Sequence, residues 1–309
     1  MTRLPQTGWL ADGKRLHLQD GPIDLIVEAC GTDSEVRAAY EVAFRRFTGL
    51  LDTLCDELPE LRRAAHPDMC TLQGRVARRM HAAVAPFAEA AFITPMAAVA
   101  GAVAEEVLGA MTISAELDRA YVNNGGDIAL HLTGNERFTV GLVDHPGVPG
   151  LIGKTVIAAS DSMRGIATSG WHGRSFSLGI ADAVTVLART AAQADAAATM
   201  IANAVDLPGH PLIIRQPAHD IQPDNDLGAR LVTRGVGKLS YDEIITALEA
   251  GAGRARAFFA AGLIEGAALH LQGETHVVGL RNIDGTVKPP LLREATTPRT
   301  MGLLYAEAI

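Results

Sequence analysis

The sequence predicts an α+β protein in which antiparallel sheets are packed with helices. Short apolar segments flank tight-turn signals at Asp20-Gly21 and Gly273-Glu274, the pattern of β-hairpins. Helical segments come singly between such strands, which does not fit a doubly wound parallel sheet. Apolar residues make up 48% of the 309 residues and charged residues 20%, enough for a sizeable buried core.

Composition narrows the function. Aromatics are 5% while Ala and Gly are abundant, so small residues pack the core closely. A net charge of −8 excludes a general nucleic-acid binder, which needs a basic patch. Cys30, Cys55 and Cys70 form no CxxC and read as free thiols. The start, MTRLPQTGWLADGKRLHL, has no apolar stretch of the signal-peptide kind, and with the thiols this sets the expectation of a cytoplasmic protein. Ala82 to Ala104 is the longest apolar run; Pro86, Glu89 and Pro95 interrupt it, so no membrane span is expected.

In chain order, Lys14–Gln19 and Ile23–Glu28 form the first hairpin. Asp33-Ser34 caps a helix to about Glu57, with Val36, Tyr40, Phe44, Phe47, Leu51 and Leu54 as its apolar stripe. A second helix runs from about Gln73 to Ala91; its Arg75, Arg78, Arg79 and His81 read as a solvated basic face or an anion-steering rim. Thr94-Pro95 starts a third helix, to Ala110, by a hydroxyl cap and Pro at the first helical position. Ala98, Gly101 and Ala102 leave one face of it nearly bare, open to another backbone or a flat ligand.

Tyr121-Val122 and Ile128–Leu132 read as strands around Asn123-Asn124-Gly125-Gly126-Asp127. A hairpin turn explains the glycines. Free backbone N–H groups beside a carboxylate would equally suit a phosphate or sugar hydroxyls, and both readings stand. Phe138–Val143 and Thr155–Ala159 are strands, with Pro146–Gly150 a loop between them. Leu231–Val236 is a strand, and Ser240 with Glu243 is a capping box for a helix to about Ala261. Ala267–Gln272 and Thr275–Leu280 form the closing hairpin; the tail from Arg281, with Pro289-Pro290, reads as partly irregular.

Thr168 to Val205 organises the rest. Thr168-Ser169-Gly170 is a small polar loop, Ala183–Leu187 a buried strand, and Ala191–Val205 an Ala-rich helix carrying Asp195 and Thr199. Their spacing of four places a carboxylate and a hydroxyl on one face. Such hard oxygens suit Mg²⁺, which keeps positions for phosphate or water. A helix-dipole carboxylate with a threonine bonded back to the Asp195 carbonyl is the structural alternative. No dinucleotide fingerprint, phosphate loop, HExxH or nucleophile elbow is present, and His131 and His172 stand alone.

Three segments together resemble the ApbE-like flavin transferase superfamily: PMAAVAGAVAEEVL its glycine-containing helix, VNNGGDIAL its N-x-G-G-D turn, and VTVLARTAAQADAAATM its strand followed by A-D-A-x-x-T. ATSGWHGRSFSLGIADAVTV is similar to an uncharacterised cytosolic branch. The resemblance implies one ApbE-like (T-fold-like) domain over residues 1–309, its motif-bearing core at about 92–205. It implies transfer of FMN from FAD to a protein hydroxyl with release of AMP, or flavin-nucleotide binding without transfer, with Mg²⁺ on the pyrophosphate. Asp195, Thr199 and a carbonyl at about Val99 would hold the metal. Gly101, Asn124, Gly125, Gly126, Asp127, Thr168 and Ser169 would line the FAD or FMN pocket, and His172 and Asp182 would be catalytic. The family's Lys before the helix glycine is Ala100 here, and GRSFSLGIADA replaces its H-I-I-D-P-x-T-G loop. An accessory subunit of a reductase, or an unrelated small-molecule enzyme on the same scaffold, is the further alternative. Expected partners are a small nucleotide or flavin, no nucleic acid and no membrane, with a homo-oligomer left open.

Overall fold

The computed structural model describes residues 4–143, 151–279 and 306–307. The expected loop at Pro146–Gly150 and the expected tail from Arg281 to residue 305 lie outside the described residues. In chain order the elements are β1 (Gln6–Trp9), β2 (Leu16–Asp20), β3 (Ile23–Cys30), α1 (Asp33–Phe47), α2 (Leu50–Asp56), α3 (Leu58–Leu61) and α4 (Arg75–Ala88). A 3₁₀ turn (Pro95–Ala98) leads into α5 (Val99–Ser114), followed by β4 (Arg119–Asn124), β5 (Asp127–Leu132), β6 (Arg137–Val143), β7 (Leu151–Ala158), β8 (Gly165–Ser169) and β9 (Ala183–Ala188). Then come α6 (Ala191–Ala204), β10 (Ile213–Pro217), α7 (Ala218–Ile221), β11 (Leu231–Val236), α8 (Tyr241–Ala260), β12 (Gly266–Leu271), β13 (Glu274–Val278) and β14 (Ala306–Glu307).

Nine strands form one sheet in the order β1-β2-β3-β4-β5-β8-β9-β12-β13, every neighbour antiparallel. The first hairpin, the central strands and the closing hairpin share this sheet, as expected. Its turns follow local chemistry. Gly21 has φ +56°, Gly125 and Gly126 have φ +66° and +112°, and Gln272-Gly273 has φ +45° and +94°, values that favour glycine. Alternation then sorts the side chains. Leu25, Val27, Val122, Ala129, Ala167, Val184, Val186 and Leu269 face a helical layer. Tyr121, Ile128, Leu130, Ile166 and Leu187 face the β6–β7 ribbon through Phe138, Val140 and Ile157. A strand pair, β10–β11, stands apart.

Small residues let α5, α6 and the sheet approach. A Cβ on Gly101 would lie 2.3 Å from the Ala191 carbonyl oxygen, and one on Gly165 would lie 2.1 Å from that of Thr190. Gly101→Ala should therefore force α5 and α6 apart and cost about 2–3 kcal/mol, measured as a lower midpoint in denaturant at unchanged slope. An unchanged midpoint would show the helices to be free to shift. Pro95–Ser114 is long and apolar enough to cross a membrane, yet half of it is buried, packed on α1, α4, α6 and the sheet.

Several expected boundaries move. The first helix is two, because Thr48 is extended and Gly49 takes φ +76°. Thr32 rather than Asp33 is its cap. Thr94 does not cap with its hydroxyl, which donates instead to Asp226 Oδ2 at 2.5 Å. The helix begun at Pro95 breaks at Ala98 (φ −129°, ψ 14°) and restarts at Val99. The Ser240–Glu243 capping box forms, and Gly251 and Gly253 do not interrupt α8. The basic face of α4 is not free: Arg79 and Arg75 pair with Glu106, and His81 is buried. Cys30, Cys55 and Cys70 are free thiols.

Candidate functional site

The restart of α5 at Val99 creates the centre of the site. First-turn N–H groups of a helix lack partners within it. Asp195, from the facing α6, supplies one: its Oδ2 accepts from Gly101 N at 3.1 Å, and the Ala100 N–H also acts on it. Beside it, Asn124 donates from Nδ2 to the Ala100 carbonyl at 3.2 Å, tying the end of β4 to the same turn. Asp127 follows the Gly125-Gly126 turn and accepts from Thr168 N at 3.3 Å. The structure thus brings together Gly101, Asn124, Asp127, Thr168 and Asp195 from four separate stretches.

Asp195 and Asp127 repel each other's charge. Burial pushes the Asp195 carboxyl up to about 7, against the opposing N–H groups of Gly101 and Ala100. Burial, then the charge of Asp195, holds Asp127 well above the ordinary carboxylate range, with Thr168 N–H and Arg174 opposing. Among the described residues neither acid has an ion-pair partner within 4.0 Å. Thr199 stands one turn beyond Asp195, half-buried; its hydroxyl makes no hydrogen bond with described residues, so it does not bond back to Asp195. Thr246, by contrast, bonds back to the Asp242 carbonyl at 2.7 Å. Val99, expected to offer a carbonyl, opens α5 beside this pair.

The turn reading of Asn123–Asp127 holds: Asn124 and Asp127 are cross-strand partners. The expected free N–H groups are only partly there, because Gly126 N donates to Asn123 Oδ1 at 2.9 Å. The Thr168 hydroxyl pairs with that of Thr185 at 2.9 Å on the opposite sheet face, while Ser169 sits half-buried at the end of β8.

His172 and Asp182 form a second cluster, in the loop between β8 and β9. His172 Nε2 lies 3.2 Å from Asp182 Oδ1, and the imidazole stacks on Trp171 at 3.8 Å. Asp182 also accepts from Trp171 Nε1 at 3.1 Å and from Gln272 N at 2.6 Å. A Cβ on Gly170 would collide with the Asp182 carbonyl oxygen at 2.3 Å, so glycine is what lets the two ends of the loop meet. This cluster leans on the β12–β13 turn. Arg174 of the same loop reaches the Asp127 side.

Sequence reasoning missed Arg174, Trp171 and the acids of α5. Glu106, 2% exposed in its side chain, binds Arg46 Nε at 2.8 Å and Arg79 Nη1 at 2.6 Å. Glu105 accepts from Ala192 N at 2.7 Å, so it caps α6 from α5. The consecutive acids Glu105-Glu106, with the basic run Arg75, Arg78 and Arg79 elsewhere in the chain, were the available signal.

Residues 7–277 match the family model described as "AbpE bacteria". A UPF0280 protein of Methanopyrus kandleri is 38% identical over 186 residues, 58% of this chain and 69% of that protein. UPF0280 proteins of Methanothermobacter thermautotrophicus and Methanococcoides burtonii are 40% and 41% identical over 119 and 120 residues, each 38% of this chain. The chain spans less than half of the length of these latter two, 44% and 48%. The chain belongs to the AbpE bacteria family, which is ApbE-like, as the N-G-G-D turn and the Asp195/Thr199 helix led us to expect.

Proposed function

We propose that the protein binds a flavin nucleotide, FAD or FMN, through Mg²⁺ held at Asp195 and Thr199 on the floor between α5, α6 and the Gly125-Gly126 turn. The observation that carries this is the Asp127–Asp195 pair: two neighbouring acids, both pushed up in pKa, with no ion-pair partner among the described residues. A divalent cation removes their mutual repulsion. No group of three or more His, Cys, Asp or Glu side chains gathers among the described residues. Mg²⁺ takes one or two protein carboxylates and completes its shell with phosphate and water. When bound, the cation would neutralise and align a pyrophosphate. Asp195 and Thr199 would hold it, with a carbonyl near Val99, and Asn124 would keep the Ala100 carbonyl and its turn in place.

A specific observation favours binding over FMN transfer. The Asp182 carboxylate is already engaged by Trp171, His172 and Gln272 N, which makes it an organiser of its loop rather than an acid free for proton transfer.

Titration calorimetry with FAD and with ADP, each with and without Mg²⁺, tests the reading. Binding at least about tenfold tighter with Mg²⁺ is expected; binding indifferent to the metal would remove Asp195 and Thr199 from the site. AMP release from FAD in the presence of a hydroxyl-bearing acceptor peptide would shift the reading to transfer.

A further inference from the structure

We infer that Arg174 is the phosphate anchor of this site, its guanidinium taking an anionic oxygen of the nucleotide. The inference rests on the nucleotide reading above and adds the residue that recognises the phosphate.

The guanidinium lies on the bare face of the Gly125 turn. A Cβ built on Gly125 would sit 2.2 Å from Arg174 Nη2 and 3.3 Å from Cζ. Gly125 therefore serves twice, by its φ of +66° and by leaving room for this side chain. On the neighbouring Gly126 a Cβ would meet nothing within 4 Å. Arg174 forms no salt bridge among the described residues; its one hydrogen bond, to the Pro22 carbonyl, is long at 3.5 Å.

Several cations near the helical layer are paired. Arg46 and Arg79 bind Glu106, Arg164 donates to the Ala159, Asp161 and Met163 carbonyls, and Arg189 pairs with Glu265. Arg174 is exposed and forms no ion pair among the described residues, and its charge is felt at Asp127. It is also aimed by its loop. Gly173 N donates to Gly170 O at 3.1 Å, and Asp182 fixes Trp171 three residues earlier. A planar fork with paired donors matches phosphate geometry.

The test uses the full chain with Arg174→Ala and Arg174→Lys. The probes are inorganic pyrophosphate and FAD at saturating Mg²⁺, with riboflavin as the phosphate-free control. Arg174→Ala should weaken pyrophosphate and FAD at least tenfold and flatten the salt dependence of pyrophosphate binding. Arg174→Lys should recover part of the affinity, and riboflavin should behave alike in all three proteins. Thermal melts of the free proteins should coincide, since the side chain is exposed.

Arg174→Ala binding pyrophosphate as the parent does would overturn the inference. Equal loss of riboflavin and pyrophosphate would do so too, because the residue would then only shape the pocket. A parent that binds pyrophosphate equally well without Mg²⁺ would sink the metal reading, while the Arg174 comparison would still decide the anchor. A parent that binds no phosphate-bearing probe would overturn both.

Discussion

Asp195→Asn should abolish Mg²⁺-dependent nucleotide binding and, at pH 8 without metal, make the protein more stable than the parent. The two effects share one cause. Burial raises the Asp195 carboxyl to about 7 and holds Asp127 well above its ordinary range, because neither charge is solvated or paired. A group whose folded pKa is raised stabilises the fold only while it holds its proton. Between about pH 4 and 7 the unfolded chain releases that proton first, so stability falls as pH rises through this window. Removing one carboxylate removes that loss. The expected gain at pH 8 is about 1–3 kcal/mol, with little difference at about pH 4. Asn keeps an oxygen to accept from Gly101 N, so the α5 turn should survive. A variant that unfolds more easily at pH 8, or binds Mg²⁺ and nucleotide as before, would make Asp195 a cap and nothing more. The exchange of stability for binding is common at functional sites.

The second large effect lies elsewhere in the fold. Glu106→Gln should cost about 3 kcal/mol, and lower Tm by at least about 5 °C. Glu106 joins Arg46 of α1 to Arg79 of α4, with Arg75 as a more exposed third partner. Burial pushes its carboxyl up, but the hydrogen bonds from Arg79 and Arg46 outweigh this and hold it below the usual range. A lowered carboxylate stabilises at neutral pH and loses that contribution as pH falls below the usual glutamate range. The difference between parent and variant should therefore shrink on acidification. Chemical denaturation at pH 7 and at pH 4 measures it; a constant difference would mean that Gln is lost for its shape rather than its charge. Arg75, exposed over most of its surface, should matter far less than Arg79.

How much of this could be read in advance depended on range in the chain. The hairpins were readable because glycines of unusual φ, Gly21, Gly125-Gly126 and Gly273, mark each turn, although the closing turn lies at Gln272-Gly273, one residue before the expected Gly273-Glu274. The α5 and α6 segments, and the small residues between them, were readable from spacing and size. The break at Gly49 was not, because the apolar stripe continues in phase through Leu51 and Leu54 and hides the kink. The break at Ala98 was hidden for another reason. Pro95 does start a helical turn, but the second start at Val99 is stabilised by Asp195, 94 residues away by the separation of its bond to Gly101. The pairing of Asp195 with Asp127 and the placement of Arg174 on Gly125 are likewise products of the sheet order, β4-β5-β8-β9, which no local window contains. His172 and Asp182 met because Gly170 permits close approach of the loop ends. The sequence suggested both residues; their contacts point to loop architecture.

The account turns on one exchange, cation for proton, at Asp127 and Asp195. Titrating Mg²⁺ with FAD into the protein at pH 6.5, in two buffers of different ionisation enthalpy, measures it as protons released per cation bound. The two acids titrate as a pair, so release of close to one proton is expected, falling toward zero at pH 9 and disappearing in Asp195→Asn. Tight Mg²⁺-dependent binding with no proton release at pH 6.5, or release unchanged in Asp195→Asn, would contradict the account and place the cation somewhere other than this pair.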